Sequence, residues 1–120
     1  MSRSLKLYLE DILNSIRKIQ NYTNQMTQAE LSKDERTFDA VVYNLQIIGE
    51  ATKNIPQDIR EQHPQMEWKK IIALRNIITH AYFSIDNEIV WDIIQTKLAP
   101  LKACIELILN TENLEDNNEL

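Results

Sequence analysis

Apolar residues recur at alternating intervals of four and three residues through most of this 120-residue chain. Because an α-helix turns once every 3.6 residues, this spacing lines them along one face of a helix. The clearest stripe lies between Ser4 and Met26 and consists of Leu5, Leu9, Ile12, Ile16 and Ile19. Helix-breaking residues are scarce, with one Gly and three Pro in the chain. The sequence therefore predicts an all-α protein.

A second stripe begins after a segment without periodicity. Ser32 with Glu35 has the form of a capping box, which predicts the start of a second main helix. Asn54 and Pro56 predict its end, because proline lacks an N–H and restricts the residue before it. A short helix, "PQDIREQH", is expected to follow over residues 56–63.

A third main helix is predicted from Glu67, and Asp86 is the candidate N-cap of a fourth, which Pro100 should bend. Short connections between amphipathic helices favour antiparallel neighbours. The predicted fold is an antiparallel bundle of four main helices plus a short helix, formed by residues 1–111 as one domain. The remaining residues, 112–120, read "ENLEDNNEL" and are expected to form an acidic, disordered tail.

The net charge of −5 argues against a broad basic surface for nucleic acid. The tail contributes four acidic and no basic residues, so the rest of the chain carries 13 basic and 14 acidic side chains and is nearly neutral. A local basic cleft is compatible with this balance.

No apolar run approaches the roughly 20 residues that cross a bilayer, and we expect a cytoplasmic protein with no membrane contact. The lone Cys104 is expected to fill core space.

Four apolar residues lie off the main stripes of the first two long helices: Leu7, Leu13, Val42 and Ile47. Either these helices are buried on more than one side within the bundle, or a second face contacts another subunit. We expect a homodimer.

A polar segment, "LRNIITHAYFSID", interrupts the third helix at residues 74–86. Arg75 can hold phosphate oxygens in a forked geometry, and His80, with a reference pKa of about 6.5, can transfer a proton near neutral pH. Such a pair suits RNA cleavage without a metal, and Asn76 could orient either group or the phosphate. Positions five apart on a regular helix point roughly 140° away from each other. Arg75 and His80 can therefore meet in one pocket only under one of three conditions. The helix unwinds at His80, the long Arg75 side chain swings back, or two copies of the motif face each other across a dimer axis.

A purely structural interpretation competes with this one. An Arg and a His near a helix end can satisfy the last carbonyls, and Tyr82 can be an aromatic residue at the core edge. From these three residues alone, the structural interpretation is the stronger. The other histidine, His63, precedes Pro64 and suggests a surface loop. The chain has no CxxC motif and only two histidines, so we predict no metal site and no cofactor.

The segment "RNIITHAY" matches the Arg-x4-His-x-Tyr signature of the HEPN superfamily and resembles that of the HepT family of ribonuclease toxins. Other segments match this family in the same order and cover almost the whole chain except the acidic tail: "YLEDILNSIRKIQNYT", "FDAVVYNLQIIGEATKNI", "HPQMEWKKIIALRNIITHAY" and "VWDII".

The resemblance implies a small all-helical homodimer in which Arg75 and His80 of both chains line a shared cleft and cut RNA, either tRNA or mRNA, without a metal. It implies that Asn76 is the polar residue after the Arg. It also implies a partner, a MntA-like nucleotidyltransferase antitoxin, which attaches AMP to Tyr82 and can form larger assemblies with the dimer. A bulky anionic group on Tyr82 would block the cleft and repel a phosphate.

An alternative function stays open. The chain could be a non-catalytic helical module that binds a nucleotidyltransferase and a nucleotide, with Arg75 holding phosphate and His80 structural.

Glu50 could pair with an Arg or contribute to a site, although a solvated helix residue is the stronger interpretation. Lys69 and Lys70 could extend a basic cleft or could only solvate their helix.

Overall fold

The computed structural model describes residues 3–76 and 86–112. These residues form α-helices and contain no strand. In chain order the helices are α1 (Leu5–Tyr22), α2 (Gln28–Lys33), α3 (Glu35–Thr52), α4 (Gln57–Glu61), α5 (Trp68–Ile72), α6 (Asn87–Asp92) and α7 (Leu98–Thr111). A 3₁₀ turn (Ala73–Asn76) continues α5, and a π-helical segment (Ile93–Lys97) joins α6 to α7.

Four helical units build the bundle: α1, α3, α5 with its 3₁₀ turn, and α6 joined to α7. Helix α1 packs against α3 and α7, and α3 also packs against α5 and the 3₁₀ turn. The apolar faces of the long helices supply the core, which includes Leu9, Ile12, Ile16, Ile19, Val41, Leu45, Ile48, Leu98, Leu101, Ile105 and Ile108. With α4 as the short helix, this architecture confirms the predicted all-α bundle.

Helix α2 was not expected from the sequence, and a capping box defines its start. The Thr27 hydroxyl accepts a hydrogen bond from the Glu30 N–H at 3.1 Å, and the Glu30 carboxylate accepts one from the Thr27 N–H at 2.9 Å. This reciprocal pair satisfies two N–H groups that the helix itself leaves unpaired. The buried Leu31 then holds α2 against the core.

The predicted capping box of Ser32 and Glu35 is wrong, because Asp34 caps α3 instead. The Asp34 carboxylate accepts hydrogen bonds from the Thr37 N–H at 3.0 Å and from the Thr37 hydroxyl at 2.8 Å. These bonds favour the ionised form and lower the pKa of Asp34. Ser32 lies inside α2, and the second main helix, α3, starts at Glu35.

The fourth main helix is irregular close to Pro100, as the sequence suggested. A proline cannot donate to the carbonyl four residues earlier, which here belongs to Thr96 in the π-helical segment. The Thr96 hydroxyl also donates to the backbone carbonyl of Asp92 at 2.8 Å. The helix type therefore changes within the five residues that precede α7.

The four off-stripe residues divide between core and surface. Val42 is buried, and Leu13 and Ile47 are half-buried, so part of the apolar surplus lies within the bundle. Leu7 remains 43% exposed, and the neighbouring helix α3 exposes 59% of Tyr43. These two side chains leave apolar surface on α1 and α3 uncovered.

Cys104 is buried in α7, where it contributes to the core as expected, and burial raises the pKa of its thiol. The proposed acidic tail lies outside the described residues except for Glu112. Within the described ranges, the helices are too short or too polar to span a bilayer.

Candidate functional site

Arg75 and Asn76 end the 3₁₀ turn that continues α5. Arg75 is half-buried and Asn76 is exposed. The other two predicted site residues, His80 and Tyr82, lie outside the described residues. The described part of the site therefore consists of the backbone that carries Arg75, the contacts that support this backbone, and the surroundings of the guanidinium group.

Trp68 fixes the start of α5. Its side chain is 8% exposed, and its Nε1–H donates to the backbone carbonyls of Arg60 at 2.9 Å and His63 at 3.0 Å. The indole thus joins α5 to the end of α4 and to the turn that follows it. The helical path to Arg75 begins at this anchor, seven residues earlier.

His63 is buried, so the prediction of a surface position for it is wrong. Its backbone N–H donates to the carbonyl of Arg60 at 3.0 Å, and its own carbonyl accepts from Trp68. These bonds fold the turn between α4 and α5 beneath the indole. His63 therefore contributes to the support of α5.

Gly49 brings α3 against the end of α5. A Cβ atom at this position would lie 2.9 Å from the carbonyl oxygen of Ile72 and 3.0 Å from that of Ile71, and still closer to the backbone nitrogen of Arg75. This contact was not predicted from the sequence. Its signal was the single glycine inside a helical stripe, because such a glycine costs about 1 kcal/mol relative to alanine and implies a packing reason.

The guanidinium group of Arg75 has no partner in residues 3–76 and 86–112. None of the hydrogen bonds or ion pairs formed among these residues involves it. Asn76 likewise forms no side-chain hydrogen bond with the described part of the chain. A half-buried cation without a carboxylate beside it can accept an anion such as a phosphate, with which Arg forms paired hydrogen bonds.

Among the described residues, Glu50 pairs with a lysine and not with an arginine. Its carboxylate lies 3.1 Å from the ammonium of Lys53, one helical turn later, and both side chains are exposed. An exposed pair of this kind contributes little to stability. The interpretation of Glu50 as a solvated helix residue is therefore the better one.

The lysines of α5 differ in their partners. Lys70 lies 3.1 Å from Glu67, and Lys97 approaches the same carboxylate at 3.6 Å. The hydrogen bond from Lys70, together with the charges of Lys70 and Lys97, lowers the pKa of Glu67. Lys69 is exposed and has no acidic partner among the described residues, so it is the better candidate to extend a basic surface towards Arg75.

Two surface pockets flank α5, with volumes of about 690 and 470 Å³, and Arg75 lines neither of them. The smaller pocket lies between α5 and α7 and is mainly apolar, with Ile71, Leu74 and Leu101 in its wall. In the described ranges, His, Cys, Asp and Glu side chains do not cluster in threes that could hold a metal ion.

The helical bundle, with the Arg-x4-His-x-Tyr segment starting where α5 and its 3₁₀ turn end, defines an all-α protein of the HEPN-like class. Residues 12–108 match the model of the family described as "Ribonuclease HepT-like". The chain belongs to this HepT-like ribonuclease family.

Two curated relatives agree with the family match along nearly their whole length. A protein of Methanocaldococcus jannaschii named "Putative RNase" is 38% identical over 117 residues, which cover 97% of each chain. A protein of Thermococcus cleftensis named "Probable ribonuclease HepT" is 38% identical over 106 residues, which cover 88% of this chain and 96% of the relative. No solved structure matches the chain significantly.

Proposed function

We propose that this chain is a metal-independent endoribonuclease and the toxin of a toxin–antitoxin pair, with Arg75 and His80 as its catalytic residues. The observation that carries the proposal is the half-buried guanidinium of Arg75, which has no partner in the described ranges and stands five residues before a histidine. Membership of a ribonuclease family and the names of the relatives support RNA as the substrate.

The chemistry follows from the two side chains. The imidazole of His80 accepts the proton of a 2′-hydroxyl, the 2′-oxygen attacks the adjacent phosphorus, and the bond from phosphorus to the 5′-oxygen breaks. The 5′-oxygen leaves with a proton from a second imidazole or from water. Arg75 stabilises the negative charge that builds on the phosphate oxygens, and Asn76 orients the phosphate. The products are a 2′,3′-cyclic phosphate and a free 5′-hydroxyl.

We propose further that the active form is a homodimer. The exposed Leu7 and Tyr43 supply apolar surface that such a contact could bury. Two copies would then bring two Arg75 and two His80 side chains to one cleft.

Incubation of purified protein with RNA in excess EDTA tests the proposed activity. We expect cleavage to persist, with products that carry 2′,3′-cyclic phosphate ends, because the nucleophile belongs to the substrate. The matched control is the same sequence with 2′-deoxy sugars, which has no nucleophile and should remain intact. Loss of cleavage in EDTA, or equal cleavage of the 2′-deoxy strand, would refute the mechanism.

The proposed partner is a MntA-like nucleotidyltransferase antitoxin that attaches AMP to Tyr82. We expect co-expression with such a partner to increase the mass of the chain by one or more AMP units, together with loss of RNA cleavage. Mass spectrometry of wild type and Tyr82→Phe measures this directly. Modification that persists in Tyr82→Phe would move the site to another tyrosine, and Tyr22 and Tyr43 are the more exposed alternatives on α1 and α3.

The RNA cleavage assay, together with expression of the chain alone in cells, separates the enzyme from the non-catalytic module. A module would bind the nucleotidyltransferase without cutting RNA, and its expression alone would not arrest growth. A toxin would arrest growth when expressed alone, and Arg75→Ala would relieve the arrest.

A further inference from the structure

The contact between α3 and the end of α5 is made by backbone on both sides. Gly49 is buried, and the atoms nearest to its missing Cβ are the backbone nitrogen of Arg75 and the carbonyl oxygens of Ile72 and Ile71. These atoms belong to the junction where α5 ends and the 3₁₀ turn begins. Helix α3 therefore supports the backbone of Arg75 directly.

A side chain at position 49 would displace this junction. Ordinary contacts of a Cβ atom lie at 3.4–4 Å, and all three neighbours of the added atom would be closer than that. Backbone atoms cannot rotate away as the end of a flexible side chain can. Relief of the contact therefore requires α3 and the 3₁₀ turn to separate, and the separation would be largest at Arg75.

We propose that Gly49 is a positioning residue for Arg75: the absence of its side chain lets α3 fix the place from which the guanidinium reaches the scissile phosphate. The inference rests on the proposed nuclease function, because it concerns the position of a catalytic group. Gly49 acts through Arg75 and does not itself touch the RNA.

The main test is Gly49→Ala in the RNA cleavage assay. A misplacement of about 1 Å in a catalytic group can lower a rate by about 10²-fold, and we expect a loss of this size in kcat. The matched control is Glu50→Ala, the next residue on the exposed side of α3, which should cleave RNA as the wild type does. Far-UV circular dichroism and thermal unfolding establish that both variants are folded.

A double-mutant cycle separates positioning from a general structural role. If Gly49 acts through Arg75, then Gly49→Ala should have almost no further effect on cleavage in an Arg75→Ala background. An equal fold-loss in both backgrounds would mean that the substitution harms the protein in another way, and would overturn the inference.

A second variant covers the case in which Gly49→Ala does not fold. Ala73→Gly loosens the same junction from its exposed side without a clash. It should lower kcat in the wild-type background and not in Arg75→Ala, whereas Ala103→Gly on the exposed face of α7 should change neither. No effect of Ala73→Gly would overturn the inference when Gly49→Ala is unfolded.

The outcomes also distinguish this inference from the proposed function. If the wild type does not cut RNA, the nuclease proposal fails. If the wild type cuts RNA and Gly49→Ala cuts it equally well, the nuclease proposal stands and only the role of Gly49 fails.

Discussion

We expect His80→Ala to lower the rate of RNA cleavage by about 10²- to 10⁴-fold, the contribution typical of a positioned general acid or base. Arg75→Ala should lower it by about 10²- to 10³-fold, because in the proposed mechanism the charge on the pentacoordinate phosphate would lose its guanidinium partner. Single-turnover cleavage of one labelled RNA at saturating protein measures both effects on the chemical step.

Conservative variants make the two roles distinguishable. Arg75→Lys keeps the positive charge and loses the forked pair of donors, so it should recover only part of the activity. His80→Gln keeps hydrogen-bonding capacity without a titratable group, so it should remain as inactive as His80→Ala. Lys53→Ala is the matched control for loss of a cation, because Lys53 is exposed and pairs with Glu50. Cleavage by His80→Ala at the wild-type rate would exclude the catalytic assignment.

The long helices were predictable because their information is local and repeated. Five apolar residues in α1 recur at helical spacing, and four of them, from Leu9 to Ile19, are fully buried in the structure. Each additional turn of the same pattern makes a chance match less frequent, and no glycine or proline interrupts the run. The start of α1 follows equally directly, since Ser4 caps it with its side chain.

Helix boundaries between Met26 and Phe38 were not predictable, because rival capping patterns overlap there. Both Thr27 with Glu30 and Ser32 with Glu35 fit the capping-box spacing, and Asp34 is a third candidate cap. The structure selects Thr27 and Asp34, which leaves room for the buried Leu31 between two helices. Packing between distant parts of the chain therefore decides where these helices begin. A capping pattern, which compares residues only three positions apart, does not contain this information.

The candidate site residues could be named from the sequence, whereas the support of Arg75 could not. Arg75 and His80 are visible in the sequence as polar residues in an apolar run, but the geometry at Arg75 depends on contacts with distant parts of the chain. The α5 helix changes to a 3₁₀ turn at Ala73, against Gly49 of α3. A regular helix continued from Glu67 through Arg75 would therefore misplace the guanidinium.

The second large effect is expected on stability, at the start of α5, where Trp68 anchors the helix. Trp68→Ala should lower the free energy of unfolding by about 3–5 kcal/mol, the usual cost of removing a buried aromatic side chain. Urea unfolding followed by far-UV circular dichroism measures the change, at one fixed protein concentration because the proposed dimerisation would add to the apparent stability. A loss below about 1 kcal/mol would contradict the role of Trp68 as an anchor, since losses that small are typical of surface substitutions.

Trp68→Phe isolates the hydrogen bonds from the packing. It keeps most of the ring and removes the indole donor from the carbonyls of Arg60 and His63, which retain their backbone donors, at a cost of about 0.5–1.5 kcal/mol. Trp91→Phe is the matched control, because Trp91 is half-buried and its indole N–H has no acceptor within the described residues. It should cost less than Trp68→Phe. Since α5 leads directly to Arg75, Trp68→Phe should also slow RNA cleavage while the protein remains folded, whereas Trp91→Phe should not.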